Sequence, residues 1–207
     1  MTKAVFFGAS SVEGAGASSP EHRFSTVVCR ALGWEELNLG IGGTTVTGRD
    51  DEGQVVALDS GIGRVPDVLE AEPDLVFILH GANDFVQSCS LGEHRLFRQG
   101  TFFWDYDTML RGLLDGLEPA QIVVSTCQYR ADAETPNALG LTLADYNRVI
   151  REAGERYGLC VQDAYGASGI GAGNWAGLSA DDAHLNDSGY QVLAAFFTES
   201  LRKHLCL

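Results

Sequence analysis

The chain alternates short apolar runs, which have the length of buried strands, with longer stretches whose apolar residues recur at helical spacing. The clearest run covers residues 74–79, Asp-Leu-Val-Phe-Ile-Leu, and is almost entirely apolar. Such a run is typical of a strand that is covered on both faces, as the strands of parallel sheets are. The alternation along the whole chain therefore predicts an α/β fold, in which helices cover both faces of a parallel sheet.

The periodicity indicates five strands and five helices. The predicted strands cover residues 4–7, 36–39, 74–79, 121–125 and 159–162. The predicted helices cover residues 24–32, 58–70, 106–117, 143–157 and 187–204. Irregular segments are predicted at 85–103, 128–141 and 165–180, and long loops of this kind usually serve a function.

The length and the charge of the chain limit its architecture and its partners. The 207 residues suit one domain that spans residues 1–207, because single α/β domains are commonly about this long. The formal net charge is −14 at pH 7. A field of this sign repels phosphate backbones and anionic lipid surfaces. We therefore expect no nucleic-acid partner and no membrane partner, whereas the composition leaves the oligomeric state open.

The cysteines and the apolar runs indicate the compartment. The five cysteines are odd in number and include no Cys-x-x-Cys pair. This pattern favours a reducing compartment over a disulfide framework, and it offers no metal site. The apolar run at the N-terminus is too short for a signal peptide. Because no run approaches the roughly 20 apolar residues of a transmembrane helix, we expect a cytoplasmic location.

Polar residues gather directly after the predicted strands. Ser10 follows the first strand, Gly43 follows the second and Asn83 follows the third. Asp181 and His184 lie in a segment that comes after the fifth strand. Ligands of parallel α/β sheets bind beyond the carboxyl ends of the strands, so these segments are expected to converge on one edge.

These residue types match the requirements of acyl transfer. A serine hydroxyl such as that of Ser10 is a poor nucleophile unless a base removes its proton, and His184 can serve as that base. Asp181 lies three residues earlier and could orient the imidazole. The Ser10 N–H, the Gly43 N–H and the Asn83 side-chain amide could stabilise the oxyanion of the tetrahedral intermediate. Two alternatives stay open, Ser11 as the nucleophile and Asp182 as the partner of the histidine.

Four segments resemble the sequence blocks of the GDSL or SGNH hydrolases, a family of serine esterases and lipases. They are Phe-Phe-Gly-Ala-Ser with Ser10, Asn-Leu-Gly-Ile-Gly-Gly-Thr-Thr with Gly43, Gly-Ala-Asn-Asp with Asn83, and Asp-Asp-Ala-His-Leu-Asn with Asp181 and His184. The resemblance implies a three-layer sandwich with a flavodoxin-like sheet of five parallel strands, ordered 2-1-3-4-5. It also implies that carboxylic esters are hydrolysed through an acyl-enzyme, without a cofactor.

Two positions depart from the family pattern. Ala9 stands where the family has an aspartate, and Leu185 stands where it has a proline. The missing aspartate is expected to loosen the hold on the Ser10 loop, and the missing proline is expected to be tolerable. Neither change removes a chemical group from the mechanism.

The substrate is less constrained by the sequence than the reaction is. His80, Phe85, Trp104 and Trp175 are candidates for the wall of a substrate pocket, although packing in the core explains them equally well. For His80 a packed and hydrogen-bonded role is favoured. The family analogy suggests a short-chain ester or an O-acetyl ester of a carbohydrate. An acyltransferase or thioesterase that uses the same residues, and a non-catalytic carbohydrate-binding module, remain as alternatives.

Overall fold

The computed structural model describes residues 1–48, 57–93 and 98–205. The strands are β1 Lys3–Gly8, β2 Glu35–Gly40, β3 Leu75–Leu79, β4 Ile122–Ser125 and β5 Cys160–Gln162. The helices are α1 Ser10–Glu13, α2 Phe24–Leu32, α3 Val65–Glu70, α4 Ala82–Val86, α5 Phe102–Leu114, α6 Leu143–Arg156, α7 Ala164–Ala167, α8 Trp175–Leu178 and α9 Asp187–Leu205. Every predicted strand is present, within one residue of its predicted ends.

The sheet has the strand order β2-β1-β3-β4-β5, and all its described pairings are parallel. This confirms the predicted fold. The register places Gly8, the last residue of β1, opposite Gly40 of β2 and opposite Leu79 of β3. The three strands therefore end at the same level, and the loops that follow them leave the sheet side by side.

Apolar side chains cover the two faces of the sheet. On one face, Phe77 stacks on Phe6 and meets Phe197 of α9 at a ring-centroid distance of 4.7 Å. Phe24 of α2 contacts the same group. Since successive strand residues point to opposite faces, Phe7 lies on the other face, where α3, α5 and α6 pack. The helices thus complete the three layers.

The predicted helix over residues 58–70 is wrong in its first half. Residues 58–64 form turns, and α3 begins only at Val65. Proline has no N–H to donate, so Pro66 fits the first turn of a helix but not its interior. Moreover, the Gly61 N–H donates to the Thr45 carbonyl, which commits this segment to a neighbouring loop.

Other helix boundaries also differ from the expectation. The helix predicted at 106–117 is α5, Phe102–Leu114, which starts one turn earlier because Thr101 is the extended residue that caps it. Helices enter two of the predicted loops. In the segment 85–103, α4 covers the first two residues and α5 covers the last two, whereas α7 overlaps the start of the segment 165–180 and α8 lies within it. Residues 87–93 and 98–101 contain no helix, and residues 94–97 lie outside the described residues.

The described cysteines are free thiols, namely Cys29, Cys89, Cys127 and Cys160, and Cys206 lies outside the described residues. In the part of the chain that the structure describes, no helix combines the length and the apolar composition that crossing a membrane requires.

The close approach of β1 to β3 predicts that Gly8 does not accept a side chain. A Cβ at Gly8 would overlap the carbonyl oxygen of Leu79 and would lie 2.6 Å from Cγ2 of Val12. Gly8→Ala should therefore lower the free energy of unfolding by roughly 1–3 kcal/mol, as overpacked cores do. Gly173→Ala is the matched control, because a Cβ there meets nothing within 4 Å. Urea denaturation of both variants checks this, and equal stabilities would contradict it.

Candidate active site

A serine, a histidine and an aspartate lie in contact at the carboxyl edge of the sheet. His184 Nε2 lies 3.1 Å from Ser10 Oγ, although the two residues are 174 positions apart in the chain. His184 Nδ1 lies 2.9 Å from Asp181 Oδ2. The other carboxylate oxygen of Asp181 accepts the N–H groups of Ala183 and His184, each at 2.7 Å. This turn aims the imidazole at the first loop of the chain.

The charge of Asp181 determines which nitrogen of His184 carries the proton. Burial alone would raise the pKa of Asp181, but hydrogen bonds from the His184 ring and from two backbone N–H groups outweigh it and lower the pKa to about 2. An ionised carboxylate is only an acceptor, so the Nδ1 atom of His184 must carry the proton. Its Nε2 atom is then free to accept the hydroxyl proton of Ser10.

The loop that follows β2 approaches Ser10 at Gly42, the residue before Gly43. Gly43 has φ +79°, a conformation that glycine adopts without strain. A Cβ on the preceding Gly42 would lie 3.8 Å from Ser10 Cβ, which shows how close the two loops are. Ser10 is the first residue of α1, and the N–H groups of a first helical turn have no acceptor within the helix. Both backbone donors expected at the oxyanion thus belong to adjacent loops.

The third expected donor, Asn83, is fixed to the same loop. Asn83 Nδ2 donates to the Thr44 carbonyl at 2.7 Å. An amide nitrogen has two hydrogens, so one holds the loop and the second is left for a ligand. Four residues on, Gln87 Nε2 lies 3.4 Å from the Gly43 carbonyl oxygen. The structure therefore brings together all five residues that the sequence motifs single out, and their catalytic roles stay predictions.

Sequence reasoning missed Asp84, which anchors the loop that follows β2. The carboxylate of Asp84 is completely buried and accepts the N–H groups of Val46 and Thr47 at 2.8 and 3.0 Å. It also accepts the Thr47 hydroxyl at 2.9 Å. Burial raises the pKa of Asp84 to about 6, against the opposing effect of these hydrogen bonds. The available signal was its place directly after Asn83, in the block Gly-Ala-Asn-Asp that follows β3.

The two alternatives from the sequence have other contacts. The Ser11 hydroxyl accepts Gln128 Nε2 at 2.8 Å, and Asp182 uses its carbonyl oxygen to accept the Ala131 N–H. The imidazole of His184 contacts Ser10 and Asp181 instead. The geometry therefore favours Ser10 over Ser11 and Asp181 over Asp182.

The loop that carries His184 is fixed by other contacts, although it lacks the proline of the family. Leu185 is fully buried and forms an antiparallel bridge with Ser179. The Ala180 N–H donates to the His184 carbonyl at 2.9 Å. Apolar burial and strand-like pairing thus restrict the backbone at Leu185, as a proline would.

Three of the four candidate pocket residues are buried in the core. His80 is 1% exposed, Phe85 is 2% exposed and Trp175 is 8% exposed. Phe85 packs on Tyr146, and Trp175 packs on Tyr129. These are core contacts, and burial argues against direct contact of the three side chains with a substrate.

His80 was expected to be packed and hydrogen-bonded, and it is packed. Its ring nitrogens, however, have no hydrogen-bond partner among the described residues. Burial, with a smaller effect from the charge of Arg64, lowers the pKa of His80 to about 3, so the ring is neutral.

Trp104 is half-buried, and the Arg111 guanidinium lies 5.4 Å from its ring centroid.

The five parallel strands in the order β2-β1-β3-β4-β5 define a flavodoxin-like α/β protein with a Ser–His–Asp contact at the carboxyl edge of its sheet. The model of the GDSL-like lipase/acylhydrolase family matches residues 6–192. The chain belongs to this family, as the four sequence blocks predicted.

Solved structures show the same fold. A protein from Lactobacillus plantarum is 21% identical, with a TM-score of 0.83 over 98% of this chain and 97% of that chain. A lipase/acylhydrolase from Enterococcus faecalis is 24% identical, with a TM-score of 0.73 over 98% and 96% of the two chains. An acetyl xylan esterase is 20% identical, with a TM-score of 0.70 over 96% and 99%. No curated protein sequence matches the chain.

The burial of Asp84 predicts a pH-dependent stability. Its pKa rises from 3.8 in the unfolded chain to about 6 in the fold, so the folded state retains a proton that the unfolded state loses. The stabilising contribution is therefore complete below pH 3.8 and is lost as the pH rises through about 6. Asp84→Asn lacks this titration and turns an amide donor towards backbone N–H groups, which should cost roughly 1–3 kcal/mol at pH 4 and less at pH 7.

Urea denaturation of the wild type and of Asp84→Asn at both pH values measures this difference. The exposed Asp115 is the control, because Asp115→Asn should change the stability equally little at pH 4 and at pH 7. A cost for Asp84→Asn that is the same at both pH values would contradict the titration of Asp84.

Proposed function

We propose that the protein hydrolyses carboxylic esters through an acyl-enzyme formed on Ser10. The observation that carries this proposal is the 3.1 Å contact between His184 Nε2 and the Ser10 hydroxyl. The imidazole is also bound on its other side by the ionised Asp181 at 2.9 Å. A hydroxyl next to an imidazole that is itself held by a carboxylate is the arrangement that activates serine as a nucleophile.

In the first half of the reaction, Ser10 Oγ attacks the ester carbonyl carbon while its proton passes to His184 Nε2. Asp181 stabilises the imidazolium that forms. The carbonyl oxygen becomes an oxyanion, which accepts hydrogen bonds from the Ser10 N–H, the Gly43 N–H and the free hydrogen of Asn83 Nδ2. The bond to the alcohol then breaks, the alcohol takes the proton from His184, and the acyl group stays on Ser10.

In the second half, water replaces the alcohol. It transfers a proton to His184 as it attacks the acyl carbon, and the same donors hold the second oxyanion. When the bond to Ser10 Oγ breaks, the proton on His184 returns to the serine. The products are the free acid and the starting enzyme, so no oxidant, reductant or cofactor is consumed.

We further propose that the substrate is a short-chain ester of a carbohydrate, with an acetyl group as the first candidate. One support is the fold shared with an acetyl xylan esterase. The other is Glu13, an exposed carboxylate one helical turn after Ser10. Its Oε2 atom lies 2.6 Å from the place that a Cβ on Gly42 would take. A carboxylate beside the serine can accept hydrogen bonds from the hydroxyl groups of a sugar.

Replacement of the nucleophile tests the reaction. Ser10→Ala should lower kcat for 4-nitrophenyl acetate by at least about 10³-fold and abolish covalent labelling by a fluorophosphonate probe. Ser11→Ala is the matched control, because its hydroxyl faces Gln128 and not the imidazole, and it should keep most of the activity. Retention of most of the turnover by folded Ser10→Ala would rule out the mechanism. Transfer of the acetyl group to added alcohols in preference to water would assign the site to a transferase.

Replacement of Glu13 tests the substrate class. Glu13→Gln should lower kcat/KM for an acetylated xylo-oligosaccharide by about tenfold, the effect of losing one hydrogen bond to a charged group. It should change kcat/KM for 4-nitrophenyl acetate, which has no sugar hydroxyls, much less. Glu70→Gln, an exposed carboxylate at the end of α3, is the control and should affect neither substrate. Equal losses on both substrates would contradict a role of Glu13 in sugar recognition.

A further inference from the structure

A buried arginine joins the ends of two strands below the proposed active site. Arg64 precedes α3 and is 4% exposed. Its guanidinium donates to three backbone carbonyl oxygens, from Nε to Asp59 at 2.8 Å, from Nη1 to Leu39 at 2.6 Å and from Nη2 to Gly8 at 3.0 Å. All three nitrogens of the side chain are therefore bound to the backbone.

Two of these acceptors come directly before the proposed catalytic loops. Gly8 is the last residue of β1 and precedes Ser10 by two positions. Leu39 lies near the end of β2 and precedes Gly43 by four positions. The guanidinium thus bridges the two strand ends from which the nucleophile loop and the oxyanion loop depart.

The environment of Arg64 is unusual for a buried charge. Among the described residues, no carboxylate lies within ion-pair distance of its guanidinium. The cation instead lies over the ring of Phe7, at 4.7 Å from the centroid. Taking a guanidinium out of water is costly unless its hydrogen bonds are replaced, and here the backbone carbonyls replace them. The guanidinium carries its donors on three separate nitrogens in one rigid plane, whereas the three donors of a lysine ammonium all lie on one nitrogen.

We propose that Arg64 is a positioning residue for the ester hydrolysis proposed above, on which this inference rests. Its rigid guanidinium binds the carbonyl oxygens of Gly8 and Leu39 together. In this way it sets the distance between the Ser10 hydroxyl and the Gly43 N–H. The side chain of Ala9 offers no polar group, so the Ser10 loop is anchored through the backbone of the residue before it. The expected loosening at Ala9 is thereby countered from a different place in the fold.

The proposal predicts a specific kinetic signature. A displacement of about 1 Å between reacting groups costs roughly 10²-fold in rate, even when substrate binding is unaffected. Arg64→Lys keeps the positive charge but removes the two separate Nη atoms that bind the two strand ends. It should lower kcat for 4-nitrophenyl acetate and the rate of fluorophosphonate labelling of Ser10 by about 10²-fold, while KM changes by less than about threefold.

The control is a second arginine that also lies over a phenylalanine ring but is paired with a carboxylate and is away from the site. Arg156, at the end of α6, binds the buried Asp107 at 3.1 Å and lies 5.4 Å from the ring centroid of Phe103. Arg156→Lys should lower the melting temperature but leave kcat and the labelling rate of the folded protein within about twofold of the wild type.

Both lysine variants and Arg64→Gln are measured in 1 M sucrose, which favours the folded state, and rates are referred to the folded fraction. Wild-type kcat and labelling rate in folded Arg64→Lys and Arg64→Gln would overturn the proposal. So would equal losses in Arg156→Lys, because they would show a purely structural role. If the wild-type enzyme itself is not labelled at Ser10, the proposed function fails, and this result is distinct from a failure of the Arg64 proposal.

Discussion

The hydrogen bond between His184 and Ser10 joins two residues 174 positions apart, and its geometry depends on the parallel register of the sheet. Because Gly8, Gly40 and Leu79 are level with one another, the loops after β1, β2 and β3 leave the sheet as neighbours. Parallel strands all point in one direction, so every such loop emerges at the same edge. The site is therefore assembled by the topology, and each loop only has to present one or two polar groups.

The loops are held by polar side chains that reach the backbone from the interior. Asp84 accepts two N–H groups of the loop that follows β2, and Asn83 donates to a carbonyl of the same loop. Arg64 donates to the carbonyls of Gly8 and Leu39. A buried charge without partners would cost several kcal/mol, so Asp84 and Arg64 are committed to their backbone partners. These contacts fix the backbone near the proposed oxyanion donors, as a preorganised site would require.

Local sequence patterns predicted those helices and strands whose ends are set by residues of the same segment. The helix predicted at 24–32 is α2, and it ends at Gly33, which adopts the left-handed conformation that stops a helix. The prediction over 58–70 failed because apolar spacing alone does not reveal that residues 58–64 are paired to a distant loop. The aromatic residues of the loops could equally be read as a pocket wall or as core. Only packing partners distinguish these, as Tyr146 does for Phe85.

The sequence by itself determined the fold class and the strand succession, and it singled out Ser10, Gly43, Asn83, Asp181 and His184 as candidates for the site. The reason is that strand periodicity and short motifs are properties of neighbouring residues. Only the tertiary structure decided which imidazole nitrogen faces the serine and which buried side chains hold the loops. It also decided that His80, Phe85 and Trp175 lie in the interior. These outcomes depend on burial and on contacts between residues far apart in the chain, which no local pattern of residues encodes.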